Sequence, residues 1–149
     1  MRLTPQGGNP SHHHRAYAET FTALDGELTL ILNNRTVVLQ PGESYEVKGG
    51  VVHRFFNATP GQIRFRNEVR PGHTGLENSL RILSGLAADG LYDEKKEIPK
   101  QLSHLAVLGM MSDMRLPGAL FLSTPILKVI AAWARWRGVE QALVTRYCR

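Results

Sequence analysis

Turn-forming residues interrupt the first half of this chain at short, regular intervals, and this spacing limits the folds that it can adopt. Glycine, proline, asparagine and aspartate favour turns because they adopt or pre-set the backbone angles that a chain reversal needs. Short β-type runs separated in this way favour an antiparallel barrel or sandwich. The interruptions between residues 11 and 69 are Leu24-Asp25-Gly26, Asn33-Asn34, Gln40-Pro41-Gly42, Lys48-Gly49-Gly50 and Thr59-Pro60-Gly61.

The runs between these turns predict six strands. Asn33-Asn34 lies between two apolar runs, and because asparagine tolerates a positive φ, it predicts a tight hairpin. The predicted strands are His12–Phe21, Glu27–Leu32, Arg35–Leu39, Ser44–Val47, Val52–Asn57 and Gln62–Val69.

Three imidazoles and one carboxylate come from two separated segments of this region. They are His12, His14 and Glu19 in the first segment and His53 in the second. A single histidine is commonly a core or surface residue, and three adjacent histidines can be a purification tag, but a tag does not account for Glu19 and His53. Histidine and carboxylate ligands together suit iron, manganese, nickel, cobalt or zinc. The set therefore predicts a site for one divalent transition metal.

Strand geometry tests whether these side chains can meet. Residues two apart on a strand share a face, so His12 and His14 point together and His13 points away. Glu19 lies five residues beyond His14, which is the wrong parity for one unbroken strand. We therefore expect a bulge or kink within residues 15–18 to re-aim the carboxylate.

The spacing of these residues resembles the two motifs of the cupin superfamily. The match covers roughly residues 5–70, with Gln6 where a leading glycine is usual and Lys48 where proline is usual. The residues in register are His12, His14, Glu19 and Gly26 for the first motif and Gly42, Gly50, His53 and Asn57 for the second.

This resemblance implies a mainly β fold, to which the apolar pattern after Pro71, described below, adds a C-terminal α-helical region. Residues 1–70 would be a small double-stranded β-helix (jelly-roll) barrel, with the metal held inside by His12, His14, Glu19 and His53. Only Met1–Thr4 precede the Pro5–Pro10 stretch, so the N-terminal strands would be short or missing. Either the start is truncated, or a partner subunit completes the sheet and covers its open edge. The incomplete barrel and the apolar helical half together favour a homodimer or higher homo-oligomer.

After Pro71 the apolar period changes from two to about 3.6, which predicts a helical extension over residues 71–149. We expect this extension to pack on the barrel or on a partner subunit. Thr74 and Glu77 form a capping box, and Pro99 suits the first position of a second helix. A charged loop, Tyr92–Glu97, lies between them. The predicted apolar stripes are Leu76, Leu80, Leu83 and Ala87 in the first helix and Leu102, Leu105, Ala106 and Gly109 in the second.

A last helix is predicted over Pro125–Trp136, within an apolar region that begins at Leu116. Pro117 and Lys128 help to interrupt this region, so it falls short of the ~20 residues that a membrane span needs. Packing on the barrel or a second subunit is the favoured interpretation. An interfacial helix, with its tryptophans in the lipid headgroup region, is the alternative.

Charge and cysteine content narrow the class of protein. The chain carries 18 Lys and Arg against 13 Asp and Glu, a net charge of +5, but the basic residues are spread out, so we expect no nucleic-acid partner. The single Cys148 excludes an internal disulfide, and Met1–Pro10 has no apolar signal core. A cytoplasmic location follows as an expectation. Residues 70–73 and 138–149 are similar to segments of small bacterial cupin-domain proteins.

Two classes of function remain open. The first is a metal-dependent enzyme acting on a small organic molecule, by the oxygenase, isomerase or lyase chemistry that the resemblance implies. Phe21, Phe55 and Phe65 would form a partly apolar wall for that molecule. No catalytic residue can be assigned, although Tyr17, Tyr45 and Glu46 are candidates. The second class is a non-catalytic module that binds a metal or a small ligand.

Overall fold

The computed structural model describes residues 1–93, 96 and 98–148, with the backbone alone for residues 119–121. Two compact units make up the chain, Met1–Gly72 and His73–Arg149, and each is described by itself. Part of the predicted charged loop, residues 94, 95 and 97, lies outside the described residues.

The first unit consists of seven strands in two antiparallel sheets. One sheet has the order β1-β7-β2-β5 and the other the order β4-β3-β6. Within residues 1–72 the strands form these two sheets rather than one closed hydrogen-bonded ring. The strands are β1 Arg2–Leu3, β2 Ala18–Asp25, β3 Leu28–Leu32, β4 Arg35–Leu39, β5 Ser44–Val47, β6 His53–Phe56 and β7 Ile63–Arg70.

The core of this unit lies between the inward faces of the two sheets. Alternate residues of a strand share a face, so Leu28, Leu30 and Leu32 of β3 are all buried in it. They pack in one cluster with Phe21 and Phe65. Gly26, between β2 and β3, has a φ of 76°, and a Cβ there would lie 2.6 Å from the Ile63 side chain.

Most predicted strands are confirmed, including Arg35–Leu39 and Ser44–Val47 with their bounds and the hairpin at Asn33, whose φ is +52°. The prediction of one strand over His12–Phe21 is wrong. The chain bends at Arg15 and Ala16, and β2 begins only at Ala18. This bend is the kink expected within residues 15–18, and it re-aims Glu19. A separate irregularity of register in β2 lies between Ala23 and Asp25.

The second unit is mainly helical. A 3-10 turn, Gly118–Ser123, leads into its third helix. Its core joins residues from all four helices, among them Ile82, Val107, Ala134 and Leu143. The elements are α1 Thr74–Ala88, β8 Tyr92–Asp93, β9 Ile98–Pro99, α2 Leu102–Met111, α3 Thr124–Trp136 and α4 Val139–Tyr147.

The start of α1 differs from the prediction. The N-cap is His73 rather than Thr74, because the His73 Nδ1 accepts a hydrogen bond from the Leu76 N–H at 3.0 Å. The buried face of α1 includes Ser79, Ile82 and Leu86, and Leu80 of the predicted stripe is 39% exposed. Two apolar stripes overlap on this helix, and contacts with α2 and α4 select between them.

The prediction that Pro99 occupies the first position of the second helix is wrong, because Pro99 lies in β9 and pairs with Tyr92 of β8. α2 therefore begins three residues later, at Leu102, and Leu102 itself is 54% exposed. The last predicted helix is confirmed as α3, with Pro125 in its first turn. Among the described residues, no helix combines the length and apolar character needed to cross a membrane.

Candidate metal centre

The first unit brings the four predicted ligand side chains together in its interior. His12, His14 and His53 are each 3% exposed and Glu19 is 5% exposed. One ligand atom from each residue lies within 4.8 Å of the ligand atoms of the others. The structure thus gathers four polar side chains at one buried point, although they come from sequence positions as far apart as 12 and 53.

Backbone pairing sets the positions of these side chains. His12 and His53 exchange both backbone hydrogen bonds, at 3.0 and 2.8 Å, in an isolated antiparallel bridge. Glu19 lies on the central strand β2, between Val47 of β5 and Val69 of β7. Since Glu19 shares the inward face with Phe21, the strand that carries the carboxylate is anchored in the apolar core.

Two backbone carbonyls fix the tautomers of His12 and His53. The Nδ1 of His12 donates to the Pro10 carbonyl and the Nδ1 of His53 donates to the Val51 carbonyl, both at 2.9 Å. A carbonyl oxygen can only accept, so Nδ1 carries the hydrogen in each ring. In a neutral ring the Nε2 then presents a lone pair.

One oxygen of the Glu19 carboxylate accepts from a single donor, and the other oxygen faces two imidazoles. Its Oε1 accepts from the Nδ2 of Asn67 at 2.8 Å. Its Oε2 lies 2.8 Å from the Nε2 of His53 and 3.5 Å from the Nε2 of His14. Because a carboxylate oxygen and a lone-pair nitrogen repel each other, a positive charge shared between Glu19 and His53 is required. A proton on His53 or a bound cation supplies it.

Burial and hydrogen bonding set the protonation of two of these groups. Burial by itself would raise the pKa of Glu19, but the close side chains of His14, His53 and Asn67 outweigh it and hold that pKa well below its usual range. Burial, followed by the repulsion from His53, lowers the pKa of His12 to about 4. An ionised carboxylate and a neutral imidazole are the forms that bind metal ions.

His14 completes the test of whether a metal ion fits. Its Nδ1 lies 2.6 Å from the Tyr17 hydroxyl, and both side chains are buried. Its Nε2 is buried and has no hydrogen-bond partner among the described residues. Burying a polar nitrogen without a partner costs about 1–3 kcal/mol, which coordination to a metal would recover. The residues present therefore fit a metal ion.

The other residues that the sequence singled out have different surroundings. Asn57 is completely buried and holds a turn, since its Nδ2 donates to the carbonyls of Leu3 and Gly61. Phe21, Phe55 and Phe65 form one aromatic cluster, with ring centroids 5.0–6.3 Å apart.

The three candidate catalytic residues and His13 also differ from one another in their surroundings. Tyr17 contacts His14, whereas Tyr45 is half-buried against the core and Glu46 is exposed. His13 is not among the four clustered residues.

Asn67 is the site residue that the sequence did not reveal. It lies on β7 directly opposite Phe21, one inward position along from the pair Glu19 and Val69. Neighbours of this kind on adjacent strands contact each other. The signal would have been the pairing of β2 with β7, which the sequence alone does not provide.

Comparison with known proteins identifies the family of this unit. The family model for the cupin domain, Cupin_2, matches residues 1–67. A search of curated proteins finds no match. Several solved structures are similar.

An uncharacterised conserved protein from Klebsiella pneumoniae with a double-stranded β-helix domain is 29% identical, over 48% of this chain and 63% of that chain, with a TM-score of 0.44. A predicted oxalate decarboxylase from Thermotoga maritima is 23% identical, over 46% of this chain and 60% of its own, with a TM-score of 0.44. A sugar phosphate isomerase of the cupin superfamily from Silicibacter pomeroyi is 25% identical, over 43% of each chain, with a TM-score of 0.40.

This chain spans less than two thirds of the length of each of these three proteins. The family-model match and the two antiparallel sheets lead to one conclusion. Residues 1–67 of this chain are a cupin domain of the type-2 family that this model describes.

Proposed function

We propose that His12, His14, Glu19 and His53 bind one divalent transition metal ion per chain, and that the domain is a metal-dependent enzyme acting on a small organic molecule. One observation carries the proposal. The Nε2 of His53 lies 2.8 Å from the ionised Glu19 carboxylate, and its Nδ1 hydrogen is already committed to the Val51 carbonyl. A cation bound by both groups satisfies this arrangement. The nitrogen and oxygen donors favour iron, manganese, nickel, cobalt or zinc.

The surrounding residues would hold the ligands ready for the ion. The carbonyls of Pro10 and Val51 keep two imidazoles in the tautomer that offers Nε2. Asn67 holds the Glu19 carboxylate through Oε1 and leaves Oε2 facing the imidazoles. Outer partners of this kind orient ligands and raise affinity.

A metal ion bound at such a site supplies Lewis-acid or redox chemistry to a substrate oxygen. The protein's own contribution would be an apolar wall beside it, because the Phe21 ring centroid lies 6.1 Å from that of His53 and the Phe21 ring packs against Phe55 and Phe65. An apolar wall beside a polar centre favours a substrate with both an apolar part and an oxygen-containing group. We propose oxygenase, isomerase or lyase chemistry as the reaction class.

Metal analysis of protein purified without a histidine tag tests the site. We expect about one transition metal ion per chain in the native protein and a sharp loss in His53→Ala. The matched control is His13→Ala, which removes an imidazole next to the cluster but not from it. Equal metal content in native protein and His53→Ala, with circular dichroism showing both folded, would reject the site.

Burial of the ligands supports a second candidate function. All four are at most 5% exposed, and a closed site of this kind suits a module that holds a metal without catalysis. Cobalt-substituted protein separates the two candidates through its visible absorption. A spectral change on adding azide indicates an open coordination position and favours an enzyme. An unchanged spectrum favours the non-catalytic module.

If the azide experiment indicates an open coordination position, the next experiment is a search for the substrate. Thermal-shift screening of the metal-loaded protein would use small organic acids, phenols and sugars. A compound that raises the melting temperature of the native protein, but not of His53→Ala, binds at the metal centre. Turnover of that compound would then establish the enzyme, and a cytoplasmic location can be tested separately by fractionation.

A further inference from the structure

A stripe of large apolar side chains lies exposed along α3 and the turn before it. Four of its members are in α3, and the first is in the preceding 3-10 turn. We call this surface the α3 stripe. Its members, with their exposed fractions, are Leu122 at 77%, Ile126 at 64%, Val129 at 69%, Trp133 at 53% and Trp136 at 78%.

The opposite face of the same helix already has its partners. Ala131 and Ala134 are 1% and 0% exposed, and Ala134 belongs to the core of the second unit. The α3 stripe is therefore a second apolar face, beyond the one that the fold of this unit uses. A helix that is apolar on two sides is typical of one packed between two structures.

The spacing of the α3 stripe favours another helix as its partner. Its members follow one another at intervals of four, three, four and three residues. This alternation forms a straight seam along a helix and is the pattern by which two helices interlock side chains. A single exposed apolar residue needs no partner, but a continuous stripe of this kind indicates an interaction site.

The size of the α3 stripe matches that of a dimer interface. From the exposed fractions, its side chains present on the order of 700 Å² of surface. A stable protein interface buries about 800 Å² on each partner. Two such stripes in mutual contact therefore provide most of the area that a homodimer needs.

We propose that the α3 stripe binds the α3 stripe of a second copy of this chain, with the two helices antiparallel. Both tryptophans lie at the C-terminal end of the helix. A parallel pair would place Trp133 against Trp133 and Trp136 against Trp136, forcing the helices apart at that end. An antiparallel pair places Trp136 against Ile126 and Trp133 against Val129, so each layer contains one large and one smaller side chain. The helices then keep an even separation of about 8–10 Å.

The basic residues near the α3 stripe make added salt a means to distinguish a second copy of the chain from a lipid surface. Lys128 and Arg135 lie seven residues apart on one side of α3, Arg137 lies over the Trp133 ring at 5.7 Å from its centroid, and α3 contains no carboxylate. Arg135 is paired with Glu140 of α4, which reduces its effect on a neighbouring copy. Added salt screens the repulsion between like-charged helices and strengthens their apolar contact. Added salt would release the same helix from anionic lipid.

Disulfide trapping tests the contact and its direction in the full chain with Cys148→Ser. Under mild oxidation, we expect the double variant Ile126→Cys with Trp136→Cys to form covalent dimers, because each cysteine faces the other residue's position in the second copy. Each single variant should remain largely monomeric on denaturing gels, since its two copies lie about 15 Å apart. Efficient cross-linking of the single variants would show a parallel pair and overturn the proposed geometry.

Analytical ultracentrifugation tests the association itself. We expect the native chain to be a dimer at micromolar concentration, tightening with salt, and Val129→Lys to weaken the dimer at least ten-fold. The matched control is Leu102→Lys, which changes a 54% exposed leucine of α2 outside the α3 stripe and should leave the dimer unchanged. Metal content should be equal in all three proteins.

Three results would overturn the proposal. The first is a native chain that stays monomeric at tens of micromolar. The second is a dimer that Val129→Lys does not weaken. The third is salt-reversible binding of the monomer to vesicles containing phosphatidylglycerol, abolished by Val129→Lys, which would identify a membrane surface as the occupant.

Discussion

Glu19 contributes a negative charge to the candidate metal centre and holds it at a fixed, buried position. Its carboxylate is buried and faces His53 at 2.8 Å, and neighbouring groups hold its pKa below the usual range. We therefore expect Glu19→Gln to weaken metal affinity by ~10–100-fold or more, because the substitution keeps the shape of the side chain but removes its negative charge. Competition with a chromogenic chelator measures the affinity.

Glu46→Gln is the matched control for this prediction. Glu46 lies on the adjacent strand β5, is exposed, and loses the same charge on substitution. Metal affinity should be unchanged in this variant. If Glu19→Gln also bound metal as tightly as the native protein, Glu19 would not be a ligand.

Asn67 allows the outer part of the site to be tested without removing a ligand. Its Nδ2 donates to Glu19 at 2.8 Å, so Asn67→Leu frees the carboxylate to rotate. We expect metal affinity to fall by roughly 10-fold or more while one ion per chain still binds at saturation. Arg66→Leu, the neighbouring exposed position on β7, is the control. Full affinity in Asn67→Leu would mean that packing alone orients Glu19.

At the scale of the elements, a close approach between α1 and α4 depends on a glycine. A Cβ at Gly85 would lie 2.1 Å from the Tyr147 ring. Gly85→Ala should therefore displace Tyr147 and destabilise the second unit by about 1–3 kcal/mol, despite the better helix propensity of alanine. Urea unfolding followed by circular dichroism measures the change.

Gly109 of α2 provides the matched control, since a Cβ there meets nothing within 4 Å. Gly109→Ala should stabilise the unit by up to about 1 kcal/mol through helix propensity alone. The two glycine substitutions thus have opposite expected signs. A neutral or stabilising Gly85→Ala would contradict the packing of Tyr147 described above.

The same pair of helices is linked by polar contacts that respond to pH. The Tyr147 hydroxyl donates to the Asp89 carboxylate at 2.6 Å. This bond, the largest contribution to both shifts, raises the pKa of Tyr147 from its ordinary 10.0 and lowers the pKa of Asp89 from its ordinary 3.8. Its contribution to stability is therefore present between those ordinary values. It is lost as pH rises through the pKa of folded Tyr147 and as pH falls through that of folded Asp89.

Tyr147→Phe should remove this pH dependence. We expect the native chain to be slightly more stable than Tyr147→Phe near neutral pH, with the difference shrinking towards both extremes. The effect is small because the Asp89 carboxylate that accepts the bond is exposed, so solvent weakens the interaction. Unfolding in urea at a series of pH values measures the difference, and a pH-independent gap would exclude the hydrogen bond as its cause.

At the scale of the whole molecule, we predict that metal binding stabilises one unit and leaves the stability of the other unchanged. Each unit has its own apolar core, and the four clustered ligands all lie in Met1–Gly72. Metal at 100 times its dissociation constant should stabilise the first unit by about 2.7 kcal/mol. We therefore expect calorimetry to show one transition that moves up with metal and one that does not. A single transition that moves as a whole would show that the units unfold together.

The local spacing of residues was sufficient to predict the β fold and to select the clustered side chains. Turn residues at Asn33 and Gly26 divide the chain into strands, and these backbone preferences act between near neighbours. His12, His14, Glu19 and His53 were selected as a set by type and spacing, and the structure brings them together. Their role as ligands remains a prediction.

Contacts between distant residues decided what the spacing could not. Asn67 reaches Glu19 only because β7 pairs with β2, and α1 buries Ile82 rather than Leu80 only because α2 and α4 pack on that side. The exposure of Trp136 likewise depends on which face of α3 the other helices cover. The sequence by itself determined the strand periodicity, the turns and the set of polar residues, because these follow from local backbone preference and residue type. The tertiary structure alone decided which apolar faces were buried and which polar groups met, because several faces of comparable hydrophobicity compete for one core.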